Sequence, residues 1–302
     1  MERLFSIILP TYNRASFIRE AIESVQAQSY ENWELIIIDD GSTDDTREIV
    51  SQYEKTDARI HYHYQENQER SAARNKGIEL SKGEWICFLD SDDNYLPDHL
   101  KTIHQALGSD QGEGLFATGI LRNTNGVQSE VPFLDNSSEN MLKELWTKFL
   151  IPSQVCVHRK ILVENQFDTR FRLWEDTHLW VRISARYPVH QLNAYTCRQV
   201  VHDESTVVQG INRVQLLEVN QYVSAVQSLK IDSAVMKMIS PTDIRDYIDS
   251  KLRMYVYAAR QNKQLRTSIR IWWKGMMNKP SFYLISELPK AFLNIFAIGI
   301  HG

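Results

Sequence analysis

The chain has 302 residues, of which 43% are hydrophobic and 24% are charged. This length and composition allow one substantial core with a smaller appendage, and they exclude an intrinsically disordered chain. The net charge of -4 gives no overall electrostatic footprint for nucleic acid, so we expect no nucleic-acid partner.

Up to Gly108 the sequence alternates between strand-like and helix-like patterns. Four apolar runs read as strands: Phe5–Pro10, Leu35–Asp40, Arg59–Gln65 and Trp85–Leu89. Strands alternating with helices predict an α/β fold, with a Rossmann-like, mostly parallel sheet flanked by helices. The alternation weakens after Gly108, and the composition turns helical from Val214 onward. We therefore predict an α/β domain over residues 1–210, divided at residue 108, followed by a helical region over residues 211–302.

Acidic side chains follow two of the predicted strands. Asp39 and Asp40 end the second strand, and Asp90, Asp92 and Asp93 follow the fourth. Open α/β sheets bind their ligands just outside the carboxyl ends of the strands. Three carboxylates within four residues repel one another unless a cation neutralises them, and hard oxygen ligands suit Mg²⁺ or Mn²⁺ bound together with substrate phosphates. The sequence thus predicts a site for a metal and a diphosphate at one sheet edge.

The cysteines and the amino terminus bear on the compartment. The three cysteines are scattered and odd in number, which predicts neither a zinc site nor a disulfide framework and favours a reducing compartment. The first residues run into a strand that is too short for the apolar core of a signal peptide. No apolar stretch reaches the roughly 20 residues of a membrane span. We expect a soluble, cytoplasmic protein.

The carboxyl-terminal tail has a different charge balance. From Lys251 onward there are nine Lys and Arg residues and one acidic residue, Glu287. The basic residues alternate with aromatic and apolar ones: Trp272, Trp273, Met276, Met277, Phe282, Tyr283 and the run Ala291–Ile300. Such a segment predicts either peripheral contact with the inner face of an anionic cell membrane or packing on the α/β domain or a second subunit, as in a homo-oligomer.

Five short motifs, taken in order, resemble those of the inverting nucleotide-sugar glycosyltransferases of family 2, which have the GT-A fold. They are Pro10-Thr11-Tyr12-Asn13, Asp39-Asp40-Gly41-Ser42-Thr43-Asp44, Ala73-Arg74-Asn75-Lys76-Gly77, Asp90-Ser91-Asp92-Asp93 and Trp174-Glu175-Asp176. The resemblance covers roughly residues 5–206. It implies a GT-A catalytic domain whose first half, residues 1–108, binds the nucleotide and whose second half, residues 109–210, binds the acceptor.

The same resemblance implies a metal-dependent transferase. A sugar, of the hexosyl or N-acetylhexosaminyl type, would pass from a nucleoside-diphosphate donor, with UDP the expected nucleotide, to a hydroxyl of a glycan or lipid-linked glycan. The expected context is the synthesis of cell-surface polysaccharide or lipopolysaccharide. Two alternatives stay open: a catalytically degenerate subunit that binds a nucleotide sugar, and a nucleotidyltransferase, although no Gly-rich phosphate loop follows the first strand.

The resemblance also assigns a nucleotide site. Its residues are Pro10, Thr11, Tyr12, Asn13, Asp39, Arg74 and Asp90. Asp39 would accept a hydrogen bond from the imide N–H of uracil, unless it serves as a turn or cap carboxylate. Arg74 would reach the diphosphate or hold the acidic cluster, unless it is a solvated helix residue paired with Glu79 or Glu84.

Metal and acceptor residues follow from the later motifs. The resemblance assigns one carboxylate of the cluster to the ribose and another to the metal, and the sequence leaves the division among Asp90, Asp92 and Asp93 open. The metal ligands that we expect are Asp92, as the central residue, Asp93 and His202, and a nitrogen ligand would favour Mn²⁺ over Mg²⁺. It makes Asp176 the general base, with Trp174 and Glu175 on the acceptor side. The alternatives are a structural histidine, first-turn carboxylates that stabilise the helix dipole, and a core tryptophan. One departure is that the family usually has glycine where this chain has Glu69.

Overall fold

The structure is a computed structural model, and it describes residues 2–108, 112–124, 126–202 and 216–277. The chain divides into two compact units, Met1–Val201 and His202–Gly302. All five motifs lie in the first unit.

The first unit contains nine strands and seven helices among its described residues. The strands are β1 Phe5–Thr11, β2 Trp33–Asp39, β3 Ile60–Tyr64, β4 Trp85–Phe88, β5 Asp93–Tyr95, β6 Leu115–Thr124, β7 Val127–Glu130, β8 Val155–His158 and β9 Val189–Val201. The helices are α1 Ile18–Gln26, α2 Thr46–Thr56, α3 Glu69–Leu80, α4 His99–Leu107, α5 Met141–Lys148, α6 Arg159–Glu164 and α7 Glu175–Ser184, and a 3₁₀ turn spans Pro152–Gln154.

All nine strands belong to one sheet of order β3-β2-β1-β4-β8-β6-β9-β5, with β7 paired to β6. The first four strands pair in parallel, as the βα repeats predict. Beyond β4 the sheet is mixed, because β8 runs antiparallel to both β4 and β6 while β9 is parallel to β6. The prediction of an α/β, Rossmann-like sheet flanked by helices is confirmed, and every antiparallel pair involves at least one strand of the second half, β6 to β9.

The parallel strands are apolar because both of their faces are covered. Every residue of β2 is buried, and α1 buries Ile18, Ala21, Ile22 and Val25, which share one helical face. Helix α3 lies unusually close to β1: a Cβ at Gly77 would be 2.4 Å from Ile8 Cγ2. The glycine thus lets α3 approach the sheet, and this contact fixes the position of Arg74 one turn earlier in the helix.

The second unit is helical in its described part. Its helices are α8 Leu216–Ser228, α9 Val235–Met238, α10 Pro241–Gln261 and α11 Leu265–Met277, with a 3₁₀ turn at Leu229–Ile231. Trp272 is buried, whereas Trp273 is 62% exposed. Within the residues that the structure describes, no helix is long and apolar enough to cross a membrane. Phe282, Tyr283 and the run Ala291–Ile300 lie outside the described residues, so membrane contact and oligomerisation by the tail stay predictions.

Candidate active site

The carboxyl ends of β1, β2 and β4 meet at one edge of the sheet. Thr11 is the register partner of Asp39 across the parallel pair β1–β2, and Ile8 is the partner of Phe88 across β1–β4. The loops that follow these strands are therefore neighbours. This brings the first, second and fourth motifs to the edge where α/β sheets bind ligands.

The loop after β1 is held to the loop after β2 by Asn13. The Asn13 backbone is left-handed, with φ of 51°. Asn13 Oδ1 accepts a hydrogen bond of 2.8 Å from the Thr43 N–H. Its own N–H donates to Ser42 Oγ at 2.9 Å. Tyr12, just before it, is 48% exposed. Asn13 is thus engaged in shaping the loop, while the Tyr12 ring is the accessible aromatic surface.

The two carboxylates that end β2 have different surroundings. Asp39 is fully buried, and it accepts hydrogen bonds from the Ser42 N–H on Oδ1 (2.8 Å) and from the Tyr62 hydroxyl on Oδ2 (2.7 Å). Asp40 accepts two bonds on Oδ1, from Gln65 Nε2 and the Gln68 N–H. Among the described residues no donor is found for Asp40 Oδ2. Each Asp39 oxygen thus accepts one protein hydrogen bond, whereas both protein hydrogen bonds of the Asp40 carboxylate are on Oδ1.

Arg74 joins the fourth motif to the fifth. Its side chain is buried, and it forms ion pairs with Asp90 Oδ1 through Nη2 (2.8 Å) and with Glu175 Oε1 through Nη1 (2.9 Å). Burial alone would lower the pKa of Arg74, but the carboxylates of Asp90 and Glu175 outweigh it and raise the pKa. The arginine is therefore a permanent charge between the two motifs, which are 85 residues apart along the chain from Asp90 to Glu175.

The acidic loop after β4 is anchored by Ser153, in the 3₁₀ turn. Ser153 Oγ donates to Asp93 Oδ2 at 2.6 Å and accepts from the Asp90 N–H at 3.1 Å. Burial, reinforced by the charges of Asp90 and Asp92, raises the pKa of Asp93 well above its usual range. Asp93 thus faces the protein interior, whereas Asp90 and Asp92 are half-buried.

The donor atoms of this loop suit a hard divalent cation. They are carboxylate oxygens whose mutual repulsion adds to burial in raising the pKa of Asp93, and Arg74 balances only part of their charge. Within the described residues, no three His, Cys, Asp or Glu side chains converge into a complete metal site. Mg²⁺ and Mn²⁺ bind through one or two carboxylates and complete their coordination with phosphates and water. His202, the remaining predicted ligand, is the first residue of the second unit, and its role stays a prediction.

Asp176 lies in the first turn of α7, next to the buried Glu175. Burial of its carboxyl group, together with the neighbouring charge of Glu175, raises the pKa of Asp176 to about 7. The Thr177 N–H and Arg74 act in the opposite direction. A carboxylate with a pKa near 7 can accept a proton at neutral pH and still be a much stronger base than an ordinary aspartate.

Two aromatic rings are in contact just before α7. Trp174, directly before α7, has a left-handed backbone with φ of 69°, and Phe149, directly after α5, has φ of 46°. Their ring centroids are 5.2 Å apart in an edge-to-face arrangement. The structure therefore brings Trp174 and Glu175 together with Arg74 and Asp176, and it adds Phe149, which no sequence motif indicated. Ser153 and Tyr62 were also missed, because both act through contacts that are remote in sequence.

Comparisons with known proteins agree with this architecture. The profile of glycosyl transferase family 2 matches residues 6–164. A GalNAc(5)-diNAcBac-PP-undecaprenol beta-1,3-glucosyltransferase of Campylobacter jejuni is 25% identical over 288 residues, which cover 93% of this chain and 91% of that protein. The glycosyltransferase TuaG of Bacillus subtilis, named for teichuronic acid biosynthesis, is 48% identical over 99 residues. These cover 32% of this chain and only 39% of TuaG.

Further relatives extend these matches. A glycosyltransferase of Rickettsia bellii is 30% identical over 72% of this chain, which spans only 32% of that longer protein. Among solved structures, Staphylococcus aureus TarS 1-349 in complex with UDP has a TM-score of 0.59 at 20% identity, covering 85% of this chain and 87% of TarS. The mannosyltransferase PcManGT of Pyrobaculum calidifontis, solved with GDP-Man and Mn²⁺, has a TM-score of 0.58 at 17% identity, with coverage of 97% and 80%. Both structures share the fold.

Proposed function

The chain belongs to glycosyl transferase family 2, and we propose that it is a metal-dependent, inverting glycosyltransferase whose donor is a nucleoside-diphosphate sugar. UDP is the nucleotide that we favour, and a glycan hydroxyl is the acceptor. In support, structures with the same fold contain UDP or GDP-Man, and relatives are named for a polyprenol-linked glycan and for teichuronic acid. Cell-surface polysaccharide assembly is the context we propose.

One observation carries the proposal: Arg74 binds Asp90 and Glu175 at once. The acidic loop that would hold the diphosphate is thereby fixed against the helix turn that carries Asp176. Transfer of a sugar requires a base on one side of the anomeric carbon and a stabilised leaving group on the other. The buried guanidinium of Arg74 contacts both motifs, so it holds the proposed base and the proposed diphosphate site at a fixed distance from each other.

For the nucleobase, the hydrogen-bond pattern favours Asp40 over Asp39. Asp39 is fully buried, and each of its oxygens already accepts one hydrogen bond from the protein, so we assign it to shaping the loop. Asp40 retains an oxygen that can accept from a ring N–H, and Tyr12 offers an exposed ring against which a base can stack. We therefore place the base between the β1 and β2 loops, with Asp40 as its acceptor.

For the metal, the half-buried Asp92 is the ligand that we propose, with Asp90 beside it. Asp93 Oδ2 accepts a hydrogen bond from Ser153 Oγ, so we propose that Asp93 anchors the loop rather than binding the metal. When bound, the cation would act as a Lewis acid that neutralises charge on the departing nucleoside diphosphate.

The chemical step depends on Asp176. Its carboxylate would remove the proton from the acceptor hydroxyl as that oxygen attacks the anomeric carbon. The bond from the anomeric carbon to the diphosphate oxygen breaks, and the electron pair leaves with the nucleoside diphosphate. Because a single base acts opposite the leaving group, the displacement inverts the anomeric configuration. Arg74 and Glu175 hold the base in place and keep it oriented.

Calorimetric titration of UDP tests the proposal, with Mn²⁺, with Mg²⁺ and with EDTA. We expect metal-dependent binding that Asp92→Ala abolishes. The matched control is Asp176→Asn, which should bind UDP like the wild type and lose transfer only. Equal binding in EDTA would contradict metal dependence. Binding of GDP but not UDP would change the nucleotide, and absence of binding to either would favour a degenerate subunit.

A further inference from the structure

Phe149 and Trp174 share an unusual backbone conformation. Both have φ in the left-handed region, at 46° and 69°, where a side chain other than glycine costs about 1–2 kcal/mol per residue. Left-handed residues that end a helix are usually glycine, and glycine would make the same turns without this cost. Here the chain carries large aromatic side chains at both turns, so the rings themselves have a use that offsets the strain.

The surrounding structure holds both residues in place. The Phe149 N–H donates to the Leu145 carbonyl at the end of α5, and the Trp174 carbonyl accepts from the His178 N–H in the first turn of α7. The carbonyl of Leu150, next to Phe149, accepts a 3.1 Å bond from Trp180 Nε1. Strained residues persist where neighbouring contacts determine them in this way, and they concentrate at functional sites.

Phe149 and Trp174 are close in sequence to residues on both the donor side and the acceptor side of the site. Trp174 lies two residues before Asp176, the proposed base. Phe149 lies four residues before Ser153, which bonds to Asp90 and Asp93 in the acidic loop. The rings are in contact, and Phe149 is 38% exposed. An aromatic surface that reaches solvent is thus fixed directly before the helix turn that carries Asp176.

We propose that Phe149 and Trp174 form a platform for the acceptor, and that the acceptor unit that receives the sugar is a pyranose ring. The proposal rests on the function proposed above and names the acceptor class. A pyranose has a face of C–H groups that packs against aromatic rings, whereas an open-chain polyol or a phosphate chain has no such face. Stacking would align one ring hydroxyl with Asp176, and Phe149 would be a specificity-determining residue.

The first test is direct binding, since it needs no donor. Saturation-transfer NMR with a panel of methyl hexopyranosides should show transfer to the ring C–H protons of at least one, and none for ribitol. Phe149→Ala should weaken that binding about tenfold, and Phe149→Trp should keep it. The matched control is Val163→Ala, which shortens another exposed apolar side chain of the first unit, 58% exposed on α6, and should change nothing.

A second variant separates a binding role from a structural one. Phe149→Gly removes the ring but also relieves the left-handed strain, so we expect its Tm to exceed that of Phe149→Ala while both lose pyranoside binding. Pyranoside binding that is unchanged in Phe149→Ala and Phe149→Gly would overturn the platform, whatever their Tm. So would equal binding of ribitol.

The two proposals fail in distinguishable ways. Loss of metal-dependent UDP binding in the wild type would refute the proposed function, whereas the NMR panel reports on the platform alone. In a transfer assay, the platform predicts that Phe149→Ala raises the acceptor KM about tenfold and leaves UDP affinity unchanged. A fall in UDP affinity together with an unchanged acceptor KM would place Phe149 on the donor side and overturn the inference.

Discussion

Replacing Arg74 with methionine removes the charge that links the acidic loop to the base motif but keeps a side chain of similar length. Glu175 is then left charged and almost fully buried, with a side chain only 4% exposed. Breaking a buried ion pair on one side costs about 3–5 kcal/mol. Asp90 is 28% exposed, so its lost contact adds less. For a unit of this size, about 2–4 °C per kcal/mol predicts a fall in Tm of about 6–20 °C.

Arg70 provides the matched control on the same helix. Its Nε lies 3.9 Å from the same Glu175 Oε1, but its side chain is 42% exposed, so Arg70→Met should cost only about 0–1 kcal/mol. Urea unfolding followed by tryptophan fluorescence and circular dichroism would measure both variants. Adding Glu175→Gln to Arg74→Met should recover part of the loss, because the uncompensated charge is removed.

The reasoning would be refuted by either of two results. If Arg74→Met costs no more than Arg70→Met, the buried bridge does not stabilise the fold as argued. If Glu175→Gln worsens the Arg74→Met variant rather than relieving it, the cost does not come from a buried carboxylate that has lost its buried partner. A variant too unstable to purify at 20 °C would be measured from the Glu175→Gln background, in which the predicted cost of Arg74→Met is smaller.

Two further predictions follow from the site. Because burial and the charge of Glu175 raise the pKa of Asp176 to about 7, the transfer rate should rise with pH through about 7 and then level off. Glu175→Gln should shift this limb of the kcat profile to lower pH, and an unshifted limb would contradict the assignment of the base. At Glu69 the backbone φ is 72°. The free energy of unfolding of Glu69→Gly should therefore exceed that of Glu69→Ala by about 1 kcal/mol, with a higher urea midpoint, since glycine alone relieves the strain. Ordinary helix propensity predicts the reverse order, so urea midpoints of the two variants decide the point.

Much of the first half could be predicted because its signals are local. A continuous apolar run marks a buried strand, and the residue that ends the run marks the ligand edge, so Asp39 and Asp90 could be placed from the sequence alone. The departure from the family glycine at Glu69 likewise coincides with a left-handed backbone. In each case the physical constraint acts within a few residues of the position that it determines.

The remainder depends on contacts between remote residues, which periodicity does not encode. Nothing near Asp39 indicates that the Tyr62 hydroxyl occupies one of its oxygens, and nothing near Asp93 indicates that Ser153 turns its carboxyl inward. The hydrogen-bond partners of these carboxylates could therefore not be predicted. The left-handed backbone of Phe149 could not be predicted either, because its φ is set by the packing of α5 and the following turn.

Helix α3 makes several of these contacts between residues that are remote in sequence. Ser71 Oγ donates to the Phe171 carbonyl at 3.0 Å, and Asn75 exchanges two hydrogen bonds of 2.9 Å with the backbone of Phe167. The segment that leads to Asp176 is thus fastened to the same helix face as Arg74, and Gly77 presses that helix onto β1. The position of Asp176, the proposed base, is consequently set by the sheet through α3 rather than by its own loop. This explains why a buried arginine, more costly than an apolar residue, suits this position: it aligns two motifs that share no strand.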